Sequence, residues 1–259
     1  MDCTLRETDV EVLFFDLDDT LYDLVSVKRE VESLMLTKIG KMVNLPFKRV
    51  FEVFKSVKKS FYKTYYPSFL IHRKDLLFKR LLRKLGVEEA RQMSKQLSEE
   101  YWSCIIRGIK PYPDVKPALT KLKEEGFTLG LLSNGLRKVQ MLKLQRLGLD
   151  GFFDVTVTSE DVGVEKPDKR VFMYALEEVE VKPDKAVMVG DIVYIDVLGA
   201  NRVGMWSVWV KRGFYANVKP RKPGEHPSFT VKDLIEAVSY THLRAHETSL
   251  HLVCRLLLE

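Results

Sequence analysis

Three carboxylates directly follow a short apolar run near the start of the chain. Val12–Phe15 is an uninterrupted apolar run, which predicts a strand buried on both faces, as in a parallel sheet with helices on either side. Asp16, Asp18 and Asp19 come next. Because clustered carboxylates repel one another and are costly to bury unpaired, we expect a cation among them, and Mg2+ is the hard ion that oxygen ligands suit. An acidic turn in water is the alternative explanation.

Further polar residues follow the later predicted strands. In chain order they are Ser133 and Asn134 after the second strand, Lys166 after the third, and Asp191 and Asp196 after the fourth. Ligands in parallel α/β sheets bind beyond the carboxyl ends of the strands, so these side chains are expected to meet Asp16 and Asp18 there. Each one alone has an ordinary explanation as a helix cap or a surface residue. Their joint occurrence in this order favours a single site.

A site with these residues would suit phosphoryl transfer. Asp16, Asp18 and Asp191 can place oxygens around one Mg2+ ion that also bridges to a phosphate. A carboxylate at a strand end can attack phosphorus, and an acid two residues further on can protonate the leaving alkoxide. The groups available to hold the phosphoryl oxygens are the Ser133 hydroxyl, the backbone N–H groups of Asn134 and Gly135, and the Lys166 ammonium.

The elements that must position these residues alternate between strand and helix. Over residues 127–210 this alternation predicts a right-handed parallel α/β sheet. The expected strands are residues 10–15, 127–132, 154–158, 186–189 and 205–210. Between the first strand and residue 109, apolar residues recur at helical spacing, which predicts an inserted segment of about four helices. Asp114 is expected to cap a helix that ends at Gly126, and a last helix is predicted over residues 231–238.

Four segments of the chain resemble the motifs of the haloacid dehalogenase-like (HAD) hydrolase superfamily, in the group with a helical cap after the first motif. The segments are D-L-D-D-T-L-Y-D from Asp16, L-L-S-N-G from Leu131, S-E-D-V-G-V-E-K-P-D-K-R-V-F from Ser159, and V-G-D-I-V-Y-I-D from Val189. The resemblance implies an α/β fold with a Rossmann-like parallel-sheet core. That core would comprise residues 1–23 and 110–238, and an inserted α-helical cap would comprise residues 24–109.

The resemblance also implies roles for the matching residues. Asp16 would be the nucleophile and Asp18 the general acid and base. The implied ligands of Mg2+ are Asp16, the backbone carbonyl of Asp18, and Asp191. Ser133, Asn134 and Lys166 would bind the phosphoryl group, and Asp196 would support the metal or the lysine. Because the dehalogenases proper release a halide that needs no proton, the acid at Asp18 indicates phosphoryl transfer instead of dehalogenation.

The function that the resemblance implies is therefore a Mg2+-dependent phosphatase that forms an aspartyl-phosphate. Its partner would be a small phosphorylated metabolite, and similar archaeal-looking sequences point to glyceraldehyde 3-phosphate or another sugar phosphate. A phosphomutase or a nucleotidase of the same superfamily is the alternative. A monomer or a homodimer is expected.

Charge is unevenly spread along the chain of 259 residues, whose net charge is +6. The segment from Lys41 to Lys84 holds thirteen lysines and arginines against Glu52 and Asp75, so its net charge is +11. Such a segment favours an anionic partner or forms a solvated helical surface. A nucleic-acid-binding module on a HAD fold is therefore the alternative from another functional class, and the complete set of site residues argues against it.

The ends of the chain and its cysteines indicate a cellular location. The sequence contains no apolar run long enough to span a membrane, no secretory signal pattern and no paired cysteine spacing, which predicts a cytoplasmic protein. Residues 239–259 hold three of the five histidines but match no zinc-site spacing. They resemble translated read-through sequence, and a genuine C-terminal helix is the alternative.

Overall fold

A six-stranded parallel sheet forms the core of the protein, of which the computed structural model describes residues 10–242. The strands are β1 (Val12–Phe15), β2 (Thr128–Ser133), β3 (Val155–Thr158), β4 (Ala186–Gly190), β5 (Trp206–Val210) and β6 (Phe229–Val231). Their spatial order is β3-β2-β1-β4-β5-β6, and every neighbouring pair is parallel. β1 is therefore a central strand, with Val12 opposite Thr128 of β2 and Ala186 of β4. The predicted Rossmann-like core is confirmed.

Helices flank both faces of this sheet, and four further helices form the insertion after β1. They are α1 (Leu24–Met42), α2 (Phe47–Tyr65), α3 (Lys74–Lys84), α4 (Ala90–Gly108), α5 (Val115–Glu124), α6 (Arg137–Leu147), α7 (Ser159–Val162), α8 (Lys169–Glu178), α9 (Leu198–Val203) and α10 (Leu234–His242). A π-helical turn, Val193–Val197, leads into α9. None of the helices within residues 10–242 combines the length and the apolar character that crossing a bilayer requires.

The side chains of β1 alternate between the two faces of the sheet, as strand geometry dictates. Leu13 and Phe15 are buried in a cluster that includes residues from α5, α6 and α10 and from α1–α4. Val12 and Phe14 are buried in a second cluster with residues from α8 and α9. Burial on both faces explains why the strand is apolar throughout, and it leaves Asp16 as the first polar side chain beyond the core.

Helices α1–α4 lie between β1 and α5 in the chain and pack against one another. The turn into α1 is made by two carboxylates, because Asp19 accepts hydrogen bonds from the Leu24 and Val25 N–H groups and Asp23 caps the helix through the Ser26 N–H. The predicted helical insertion is thus confirmed, whereas the boundaries 24 and 109 between core and cap stay predictions.

The two ends of the helical insertion lie side by side. Tyr22 forms an antiparallel bridge with Pro111, and the Tyr112 N–H donates to the Leu21 carbonyl at 3.0 Å. The chain therefore leaves the sheet after β1 and returns to α5 through two neighbouring extended segments.

Two sequence-based expectations were wrong in detail. The sheet has a sixth strand, β6, where only a final helix was predicted, and that helix begins at Leu234. Asp114 stands at the N-cap position of α5, but its carboxylate does not cap the helix. It accepts instead from the Arg212 guanidinium, at 2.7 Å to Nη2, and from the Leu234 N–H at 2.7 Å. The prediction for residues 239–259 falls, from residue 243 on, outside the described residues.

Candidate active site

The predicted site residues meet at the carboxyl end of the sheet. Asp16 follows β1, and its N–H continues the backbone pairing with β4 by donating to Val189 at 2.9 Å. Asp191 follows β4, and Asp196 lies in the π-helical turn beyond it. All three aspartates are buried, and one carboxylate oxygen from each lies within 4.8 Å of the others. Asp196 is therefore not the solvent-facing helical residue that its position alone also allowed.

Lys166 supplies a cation within this cluster. Its side chain is 1% exposed, and its Nζ donates at 2.7 Å to Asp16 Oδ1, to Asp196 Oδ1 and to the Leu132 carbonyl. Burial alone would lower the pKa of Lys166, but the two carboxylates outweigh it and raise that pKa above its ordinary value. Lys166 is a buried, charged group and not the surface lysine that its position before a proline also allowed.

The remaining negative charge of the cluster fits a divalent cation. One ammonium pairs with two of the three carboxylates, and burial raises the pKa of Asp16 to about 7 against the opposing effect of Lys166. The pKa of Asp191 is also raised well above its ordinary value, first by burial and then by its acidic neighbours. Asp191 Oδ1 accepts from the Thr20 hydroxyl at 3.0 Å, but its buried Oδ2 has no hydrogen-bond partner among residues 10–242. An oxygen without a donor, in an acidic pocket, is a suitable ligand for Mg2+.

Asp18 is held apart from the other carboxylates. The Lys143 ammonium donates to its two oxygens at 2.7 and 2.9 Å, and the Tyr22 hydroxyl donates to Oδ1. Burial tends to raise the pKa of Asp18, but Lys143 and the two hydrogen bonds outweigh it and lower that pKa below its ordinary value. Asp18 is therefore ionised before substrate binds, and it can accept a proton at once.

On the phosphate-binding side, the loop after β2 differs partly from expectation. The buried Ser133 hydroxyl accepts from Gln140 Nε2 at 2.8 Å. The Asn134 side chain accepts from the Lys166 N–H at 2.8 Å and donates to its carbonyl at 3.3 Å, so it joins two loops. The Gly135 N–H, expected to face phosphate, donates to the Ser159 hydroxyl at 2.9 Å. Neither Ser133 nor Asn134 caps α6, whose N-cap residue is Leu136.

Two site residues on α6 were not foreseen from the sequence. Gln140 and Lys143 are both buried, one helical turn apart, and they contact Ser133 and Asp18 respectively. A signal for them was present, because they share a helix face with the buried Leu144 and Leu147. A polar residue within the buried stripe of a helix either belongs to a functional site or costs stability because its polar group is removed from water.

Comparisons with known proteins agree with this arrangement. A family model of haloacid dehalogenase-like hydrolases matches residues 10–204. The chain is 34% identical over 235 residues to the glyceraldehyde 3-phosphate phosphatase of Methanopyrus kandleri, covering 88% of this chain and 97% of that protein. It is 29% identical over 197 residues to the ribulose-1,5-bisphosphate 5-phosphatase of Halopiger xanaduensis, covering 76% of this chain and 82% of that one.

A solved structure shows the same architecture. The crystal structure of a HAD phosphatase from Thermococcus onnurineus superposes with a TM-score of 0.69 at 27% sequence identity, covering 89% of this chain and 97% of that one. The family match spans β1 to the end of α9 and includes all four predicted motifs. The chain therefore belongs to the haloacid dehalogenase-like hydrolases.

Proposed function

We propose that this protein is a Mg2+-dependent phosphatase that hydrolyses a small phosphomonoester through an aspartyl-phosphate on Asp16. The observation that carries the proposal is the buried cluster of Asp16, Asp191 and Asp196, in which Lys166 pairs with the first and the last. The ion-paired Asp18 lies beside this cluster. Relatives named for glyceraldehyde 3-phosphate and ribulose 1,5-bisphosphate support a sugar phosphate as the substrate class. Asp16, Asp191 and the backbone carbonyl of Asp18 would hold Mg2+, which when bound offsets the repulsion between carboxylate and phosphate.

In the first step, a carboxylate oxygen of Asp16 attacks phosphorus and the bond from phosphorus to the ester oxygen breaks. The departing alkoxide takes a proton from the carboxyl group of Asp18. Because Asp18 is ionised beforehand, it must first take that proton from solvent water, and the approach of an anionic phosphate favours this by raising the pKa of Asp18. Lys166 and the Ser133 hydroxyl face the negative charge that develops on the phosphoryl oxygens.

In the second step, water attacks the phosphorus of the aspartyl-phosphate. Asp18, now ionised and again paired with Lys143, accepts a proton from that water. The bond between Asp16 and phosphorus breaks, which releases inorganic phosphate and restores the carboxylate. One residue thus serves as acid and then as base. Its ion pair with Lys143 favours release of the accepted proton to solvent, which restores the ionised starting state.

The helices α1–α4 are proposed to act as the cap, with boundaries at residues 24 and 109. Their loop reaches the site, since His72 Nε2 lies 3.0 Å from Glu165 Oε2 and the Glu165 N–H donates to the Pro67 carbonyl at 2.9 Å. Glu165 is the residue before Lys166. A cap in contact with this loop would exclude water from the reacting groups. We also propose a cytoplasmic monomer or homodimer that acts on a small metabolite and not on nucleic acid.

The test is phosphate release from p-nitrophenyl phosphate and from a panel of sugar phosphates, with Mg2+ and with EDTA. The wild-type protein is expected to release phosphate only with the metal, and Asp16→Asn is expected to lose roughly a thousandfold or more in kcat. Asp150→Asn, the same change at an exposed position, is the matched control. Full activity in Asp16→Asn, or no phosphate release from any ester, would refute the proposal. Isomerised sugar phosphate without free phosphate would indicate a phosphomutase instead.

A further inference from the structure

Lys74 is a buried lysine that the catalytic scheme does not use. It is the first residue of α3, its exposure is 6%, and within residues 10–242 its ammonium forms no hydrogen bond and no ion pair. Its Nζ lies 5.5 Å from the ring centre of Tyr101 and 5.7 Å from that of Trp102, both on α4. Two aromatic rings compensate only part of the cost of removing an ammonium from water.

Most of the charged groups near Lys74 are positive, like Lys74 itself. Burial and the nearby lysines Lys28, Lys58 and Lys143 lower the pKa of Lys74 to about 7. Glu32 acts in the opposite direction, but its two oxygens are already paired with Lys58 at 2.9 and 3.1 Å. The protein therefore surrounds this ammonium with cations and provides no carboxylate for it among the described residues. Since methionine has a similar shape and no charge, packing alone does not explain a lysine here.

Lys74 also lies close to the catalytic groups. The ring centre of Trp102, 5.7 Å from Lys74 Nζ, is 5.6 Å from Lys143 Nζ. Lys143 in turn binds Asp18, the group proposed to protonate the leaving oxygen. The two ammonium groups thus share one indole ring as a neighbour. The Lys74 and Lys143 ammonium groups are therefore no more than about 11 Å apart.

We propose that Lys74 is a specificity-determining residue whose ammonium binds a second anionic group, a carboxylate or a second phosphate, at the end of the substrate remote from the scissile ester. The proposal rests on the phosphatase activity proposed above and narrows its substrate class to small phosphomonoesters with two anionic ends. Glyceraldehyde 3-phosphate has an uncharged aldehyde at that end, so the two substrate classes are distinguishable.

The test compares esters that differ only at the remote end. We expect the wild-type enzyme to prefer 3-phosphoglycerate over glycerol 1-phosphate and glyceraldehyde 3-phosphate in kcat/KM. The ratio of kcat/KM for ribulose 1,5-bisphosphate to that for ribulose 5-phosphate tests whether the enzyme prefers a second phosphate instead of a carboxylate at that end. Lys74→Met should reduce the preference for the anionic ester about 10- to 100-fold, mainly through KM, as loss of a charged hydrogen bond does. Lys84→Met, at an exposed position on the same helix, is the matched control and should keep the wild-type ratio.

Other outcomes overturn the proposal without affecting the phosphatase assignment. A wild-type enzyme that hydrolyses all these esters without preference would contradict it. So would a Lys74→Met variant that loses activity on the charged and uncharged esters in equal proportion, because that pattern indicates a structural role.

If no ester is turned over, the proposed phosphatase function fails first. Calorimetric Kd values for 3-phosphoglycerate and glycerol 1-phosphate, with and without Lys74→Met in an Asp16→Asn background, still decide whether Lys74 recognises the anion.

Discussion

Replacing Lys166 with methionine should destabilise the protein strongly, because it removes the only ammonium that contacts the buried cluster in residues 10–242. Lys166 Nζ binds Asp16, Asp196 and the Leu132 carbonyl, each at 2.7 Å. Methionine has a similar volume, so the loss is mainly electrostatic. Removing one partner of a buried ion pair costs about 3–5 kcal/mol, a large part of the roughly 5–15 kcal/mol that folded domains possess.

The assay is urea unfolding in EDTA, followed by tryptophan fluorescence and circular dichroism. We expect Lys166→Met to lower the free energy of unfolding by about 3–5 kcal/mol at pH 8. Lys169→Met, three residues away and exposed, is the matched control and should stay within about 0.5 kcal/mol of the wild-type protein.

The pH dependence of this loss has a defined sign. Without the ammonium, the folded-state pKa of Asp16 rises further, whereas its unfolded-state value stays near 3.8. A carboxyl group with a raised folded-state pKa destabilises the protein above that pKa and ceases to do so when both states are protonated. The deficit of Lys166→Met should therefore shrink from pH 8 to pH 5. A variant within 1 kcal/mol of the wild-type protein at pH 8, or a deficit that grows as the pH falls, would refute this reasoning.

Two further predictions concern Asp18 and Asp168. Asp18→Asn should lower the hydrolysis of alkyl phosphates by about 10²–10⁴-fold. With p-nitrophenyl phosphate it should still give a burst, because nitrophenolate leaves without a proton; equal losses on both esters without a burst would contradict the acid role. Asp168 caps α8 through the Arg170 N–H, so Asp168→Ala should cost ~1 kcal/mol at pH 7 in urea unfolding. Hydrogen bonds from the Arg170 side chain and N–H lower the pKa of Asp168 to about 2. The stability that ionised Asp168 contributes is present above its ordinary pKa of 3.8 and is lost as the pH falls toward 2. A deficit of Asp168→Ala that is unchanged at pH 2 would contradict this explanation.

The strands and the main carboxylates of the site could be predicted because their signals are local. Val12–Phe15 is apolar on both faces, and such a run followed directly by Asp16 admits few other interpretations. β6 escaped prediction because Phe229–Val231 is only three residues long, and its place at the sheet edge is set by pairing with β5. Asp114 was misread because its competing partner, Arg212, is 98 residues away in the chain.

Other site contacts depend on tertiary structure in the same way. The spacing of α6 shows that Gln140 and Lys143 share a face, but not that this face meets Ser133 and Asp18. Lys74 belongs to a strongly basic segment, in which burial of one lysine among many has no local signature. The sequence therefore predicts which residues stand at the strand ends, whereas the partners that set their charge states depend on packing between distant helices.

The side-by-side segments at Tyr22 and Pro111 have a consequence for how this architecture varies. Because the insertion leaves and re-enters the sheet at one place, its two attachment points are already held together by backbone contacts. A helical segment of different length or sequence could be joined there without moving a strand, and the entropy of closing a longer loop grows only slowly with its length. Helices α1–α4, the proposed cap, could thus be exchanged as a module while the reacting groups stay in place.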